Sequence, residues 1–136
     1  MEINPYLSFD GRCAEAFNFY ASVLGGTILT LMPYGGSPMA NAVSEGWQDK
    51  VMHARLKVGN QIIMGSDSMP GQYEPPRGHS LSISVADAAE AERIFPALAE
   101  GGTVHMALQA TFWAVRFGVL QDRFGIAWMV NCEQAH

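Results

Sequence analysis

The sequence predicts an α+β fold built from two tandem βαβββ modules, and three observations carry that prediction. The first is an internal duplication. Ala14-Glu15-Ala16 leading to Gly25-Gly26-Thr27-Ile28 matches Ala89-Glu90-Ala91 leading to Gly101-Gly102-Thr103-Val104. The offset is 75 to 76 residues (Ala14 to Ala89, Gly25 to Gly101), about half of the 136-residue chain. The second is period-2 alternation before each copy, in Tyr6–Phe9 and in Ser80–Val85. The third is an apolar stripe at helical spacing inside each copy.

Element by element, Leu7 and Phe9 alternate with Tyr6 and Ser8 as in a half-buried strand. From Arg12 to Leu24 the stripe is Ala16, Phe17, Tyr20, Val23 and Leu24, and Gly25-Gly26 supplies the stop. Strand signals follow at Thr27–Met32, Val51–Val58 and Gln61–Ser66, with Gly59 at a hairpin turn. In the second half, Asp87 followed by Glu90 resembles a capping box. The stripe continues through Ala91, Ile94, Phe95 and Leu98, while Pro96 is expected to kink or split that helix. Strands at Thr103–Met106, Phe112–Leu120 and Ile126–Cys132 complete the module. The division is a first module at 1–67, a linker at 68–77 and a second module at 78–136, forming one structural domain. The segment Pro33–Asp49, rich in Gly, Pro, Ser and Asn, is long for a strand connection and reads as a lid or a disordered loop.

Composition narrows the function. Hydrophobic residues are 49% of the chain and charged residues 15%, which excludes disorder and a small disulfide scaffold. Eight Lys+Arg against thirteen Asp+Glu give a net charge of −5 and no basic stripe, so a nucleic-acid partner is not expected. No apolar stretch approaches the roughly 18 residues of a bilayer span, and Met1–Pro5 has no signal-peptide pattern. A cytoplasmic protein with no membrane partner is the expectation. Cys13 and Cys132 share no motif and read as buried free thiols.

The duplication resembles the vicinal oxygen chelate superfamily, which includes glyoxalase I, fosfomycin and bleomycin resistance proteins and extradiol dioxygenases. Pro5-Tyr6-Leu7-Ser8-Phe9-Asp10-Gly11, Phe19-Tyr20, Thr111-Phe112-Trp113-Ala114 with Phe117-Gly118, and Asp122-Arg123-Phe124-Gly125-Ile126-Ala127-Trp128-Met129-Val130-Asn131 are similar to its PhnB-like branch. That branch also carries the label "3-demethylubiquinone methyltransferase-like". Methyl transfer is not expected, because no Gly-rich strand-to-helix turn is followed by an acidic residue as a nucleotide-type cofactor site requires. The resemblance implies a glyoxalase/bleomycin-resistance-type fold with a U-shaped mixed sheet, and a homodimer. It also implies a divalent metal held by His, Glu or Gln from the first and last strands of each module.

Strand parity places Tyr6, Met64, Ser80 and Met129 at those ligand positions, with one residue of latitude at Met64. None suits a divalent cation, so no metal and no other cofactor is expected. Tyr6 and Ser8 face the cavity if Leu7 and Phe9 face the helix. On Val51–Val58, the set Met52, Ala54, Leu56 and Val58 is assigned to the helix side, which leaves His53, Arg55 and Lys57 on the other. Ligand-pocket candidates are therefore Tyr6, His53, Arg55, Ser80, Trp113, Arg116, Met129 and Asn131. Plainer readings are a solvated strand face for His53, Arg55 and Arg116, and core packing for Trp113, as for Trp128. His79 is expected in a loop, His105 on an exposed edge, His136 at a frayed end, and Asp67 as a turn cap. No catalytic residue is assigned.

Three functions follow from these readings. The chain is a metal-independent protein that binds a small molecule in a polar-aromatic pocket. Alternatively it is a metal-dependent lyase, isomerase or dioxygenase with atypical ligands such as His53 and Asn131. The third reading is a structural homodimer acting through partners.

Overall fold

The computed structural model describes residues 1–133. Its elements are β1 (Tyr6–Phe9), α1 (Cys13–Leu24), β2 (Thr27–Pro33), β3 (Val51–Val58), β4 (Gln61–Asp67), β5 (Leu81–Ser84), α2 (Ala88–Ala99), β6 (Thr103–Gln109), β7 (Ala114–Gln121) and β8 (Ala127–Glu133). The chain divides into two compact units, with the boundary between Pro75 and Pro76. Each unit is one βαβββ module. The sheet orders, β1-β4-β3-β2 and β5-β8-β7-β6, are the same permutation. In both sheets the first strand runs parallel to the last, and the remaining pairs are antiparallel.

Each helix buries its stripe on one face of its own sheet. In the first unit Cys13, Ala16, Phe17 and Tyr20 are buried, and Phe9 of β1 meets Phe17 edge-on at 6.1 Å between ring centres. Gly25, at φ 71°, ends α1 in the left-handed conformation that a Cβ disfavours. In the second unit Ala91, Ile94, Phe95 and Leu98 are buried, and the Asp87 carboxylate accepts from Glu90 N at 2.8 Å. Gly118 of β7 is required by this packing, since a Cβ there would lie 2.5 Å from Phe95 Cε2.

Four expectations are corrected. Pro96 does not split its helix, because α2 runs unbroken from Ala88 to Ala99. Pro96 and Glu92 are both exposed, so the carbonyl that loses its amide partner lies on the solvent side. Ser80 lies outside the sheet, since β5 begins at Leu81. On β3 the register shifts between Met32 and Pro33, pairing Pro33 with Val51, so Val51 rather than Met52 is buried with Ala54 and Leu56. Residues 33–49 form an organised segment with 3-10 turns at Ala40–Ala42 and Glu45–Trp47. The Gln48 side chain donates to the carbonyls of Ala40 and Val43, and Tyr34 N and Gly35 N close the base on Lys50 O and Gln48 O.

Candidate functional site

The helix covers one face of each sheet, and the other face carries the candidate chemistry. In the first unit the register aligns Tyr6 with Met64, and Met64 with Arg55, which in turn pairs with Thr30. Ser8 aligns with Ser66 in the next row, and on β3 His53 pairs with Met32 of β2. The Tyr6 hydroxyl and His53 Nδ1 form a 3.1 Å hydrogen bond, and the two rings stack at 5.8 Å. That contact places His53 on the same face as Tyr6. Arg55 is half-buried, and its Nε is buried without a hydrogen-bond partner. Lys57, exposed, continues the face toward the hairpin.

In the second unit Ser82 aligns with Met129 and Ser84 with Asn131, while Val119 and Phe117 lie opposite them on β7. Asn131 Oδ1 is buried and unpartnered. Trp113 is 45% exposed and packs edge-on against Phe117 at 5.4 Å, so it borders this face and is not a core residue. Trp128 is core: it is 1% exposed and donates from Nε1 to the Asp122 carboxylate at 2.8 Å.

Arg116 leaves the candidate set. It aligns with Cys132 on the helix side, and its guanidinium pairs with Glu92 of α2 at 3.0 Å. The strand parity already held this answer, since Arg116 shares its parity with Gly118 and Leu120, and an apolar neighbourhood was a weaker signal. Ser80 also leaves, being exposed before β5, and Ser82 takes its place beside Met129. Sequence reasoning missed Phe117 as the partner of Trp113; the four-residue spacing across the start of β7 was the available signal. His79 and His105 are exposed, and His136 lies outside the described residues.

The two buried carboxylates organise backbone. Asp67, 1% exposed, accepts from Cys13 N and Val51 N at 2.9 Å each, and its own carbonyl accepts from the Tyr34 hydroxyl at 2.7 Å. It thus caps α1 and does more than end a turn. Burial, reinforced by Asp67, pushes the Cys13 thiol far above its ordinary range, so it is a protonated core residue and no nucleophile. Cys13 and Cys132 are both buried and free.

A metal of the kind the resemblance implies does not fit the residues present. The aligned pairs at the ends of the modules' first and last strands are Tyr6 with Met64 and Ser82 with Met129. A phenol, an alcohol and two soft, uncharged thioethers lack the imidazole or carboxylate donors that a hard or borderline cation needs. Among the described residues, no three His, Cys, Asp or Glu side chains gather into a metal-holding group.

Comparison with known proteins agrees with the fold. A family model described as 3-demethylubiquinone-9 3-methyltransferase matches residues 1–131. Protein YjdN of Escherichia coli K12 is 35% identical over 139 residues, covering 96% of this chain and 95% of that protein. The crystal structure of protein PA1353 from Pseudomonas aeruginosa superposes with a TM-score of 0.91 at 53% identity, over 99% of both chains. A PhnB protein from Bacillus cereus, described as a putative 3-demethylubiquinone-9 3-methyltransferase, gives 0.80 at 26% identity, over 97% of this chain and 99% of that one. A glyoxylase/bleomycin resistance protein/dioxygenase domain from Frankia sp. EAN1pec shares the fold, with a TM-score of 0.66 at 15% identity over 98% of both chains. With its paired βαβββ modules, which share the fold of glyoxylase/bleomycin resistance/dioxygenase proteins, and a family match over nearly its whole length, the chain belongs to the PhnB-like 3-demethylubiquinone-9 3-methyltransferase family.

Proposed function

We propose that this protein binds a small organic molecule on the helix-free faces of its sheets and does so without a divalent metal. The observation that carries the reading is the donor set. Where metal ligands would stand, the strands present Tyr6, Met64, Ser82 and Met129. These side chains suit an organic ligand instead. Thioethers adapt their shape to apolar surfaces, and the Tyr6 phenol, already bonded to His53, offers a polar anchor. The unpartnered Asn131 Oδ1 is an acceptor awaiting a donor. Trp113 and Phe117 add aromatic surface beside it.

The same proposal includes a homodimer. Edge strands β2 and β6 leave Leu29, Leu31, Val104 and Met106 exposed, and unpaired apolar edges are a liability that association removes. A Leu31→Glu variant is expected to sediment as a monomer where the parent sediments as a dimer. Identical sedimentation of the two would remove β2 from the interface.

The metal-free reading is tested on protein purified without a His-tag. Elemental analysis is expected to find no stoichiometric metal, and Ni²⁺, Mn²⁺ or Fe²⁺ to leave the melting temperature unchanged. One equivalent of tightly held metal would sink the proposal.

A further inference from the structure

We infer that the helix-free face of the first unit is a carboxylate site, with Arg55 as its anchor. The inference rests on the small-molecule reading above and names the chemical class of ligand at that face. Two independent observations carry it.

The first is the state of Arg55. Its Nε is buried without a partner, and among the described residues it has neither an ion pair nor a hydrogen bond. Arg12 is engaged with Glu15, Arg116 with Glu92 and Arg123 with the Glu100 carbonyl, while Arg77, which has no such partner, is exposed to solvent. A buried guanidinium N–H that bonds to nothing is a cost to the fold, and such costs are retained where a ligand relieves them. The Nε–Nη edge of a guanidinium donates two parallel hydrogen bonds, which match the two oxygens of a planar carboxylate.

The second is the distribution of charge. The protein carries a net charge of −5, yet the strand residues of this face include Arg55, Lys57 and His53 and no Asp or Glu. The buried Asp67 aligns with Phe9 and belongs to the helix side. An acidic protein that keeps one face free of carboxylates presents a local potential that attracts an anion. Beside Arg55, Met64 and Tyr6 are aligned on the adjacent strands. They offer a thioether and an aromatic ring to the apolar body of the ligand, and the Tyr6–His53 pair offers a further polar contact. A compact aryl or alkyl carboxylate satisfies all of these groups.

The test uses the full chain, with benzoate as the probe and benzamide as its neutral isostere. In ¹H–¹⁵N spectra, benzoate is expected to shift the Arg55 Nε–Hε resonance and the backbone amides of β3 and β4 saturably, the amides giving the affinity in every variant, and benzamide to bind at least tenfold more weakly. Arg55→Met is expected to abolish the benzoate response and to melt about 3 °C higher, because an unsatisfied donor is removed from the fold. Arg55→Lys keeps the charge but not the two-pronged edge, and should weaken benzoate at least fivefold. Arg77→Gln, which removes an equal charge from the segment before β5, should leave affinity within twofold. Equal binding of benzamide, benzoate affinity that survives in Arg55→Met, or no response at Arg55 each overturns the inference. Equal binding of the two probes on this face would do so while leaving the small-molecule reading intact; stoichiometric metal uptake would overturn that reading and not the Arg55 assignment.

Discussion

Asp122 shows how a single buried carboxylate can hold the end of a module together. It is 3% exposed and accepts from Phe124 N at 2.8 Å, Ile126 N at 3.0 Å and Trp128 Nε1 at 2.8 Å. Three donors satisfy the charge and lock the turn that starts β8. Asp122→Ala leaves those donors buried and unpaired, and is expected to lower unfolding free energy by about 3 kcal/mol in urea titrations. A loss below about 1 kcal/mol would show that water replaces the carboxylate. Arg116 makes the opposite point. Its ion pair with Glu92 is partly solvent-exposed and contributes little to stability. What matters about Arg116 is its side of the sheet, which removes it from the candidate site.

At the scale of elements, the packing of a helix on a sheet sets where glycine is required. Gly118 lets the Phe95 ring of α2 lie directly on β7. Gly118→Ala would force that ring or the strand to move, at a cost of about 2 kcal/mol in urea unfolding. An unchanged midpoint would mean that Phe95 has free space to rotate into. Period and parity made most elements legible in the sequence: Leu7 and Phe9, the two helix stripes and the alternation of β8 all lie on the faces that the pattern assigns. The departures share one cause, which is that local pattern carries no register. The slip between Met32 and Pro33 exchanges Val51 for Met52, and the alignment of Met129 with Ser82 displaces Ser80. Pro96 departs for a different reason, since the packing of Ile94, Phe95 and Leu98 outweighs one missing hydrogen bond.

At the scale of the whole molecule, a duplicated module repeats its architecture while its chemistry diverges. Both sheets have the same strand order, yet one helix-free face carries His53, Arg55 and Lys57, while the aligned rows Ser82–Met129–Val119 and Ser84–Asn131–Phe117 of the other hold no charged side chain. The duplication was readable from Ala14-Glu15-Ala16 and its echo at Ala89. The unpartnered atoms of Arg55 and Asn131 were not, because whether a polar atom is buried without a partner depends on neighbours from other strands. The central claim, that organic-ligand groups have replaced metal ligands on these faces, is tested most directly through the methionines that stand at two of the ligand positions. In ¹H–¹³C spectra of methyl-labelled protein, one equivalent of Mn²⁺ is expected to leave the Met64 and Met129 methyl signals as sharp as those of the remaining methionines. Selective broadening of those two signals at stoichiometric Mn²⁺ would contradict the claim.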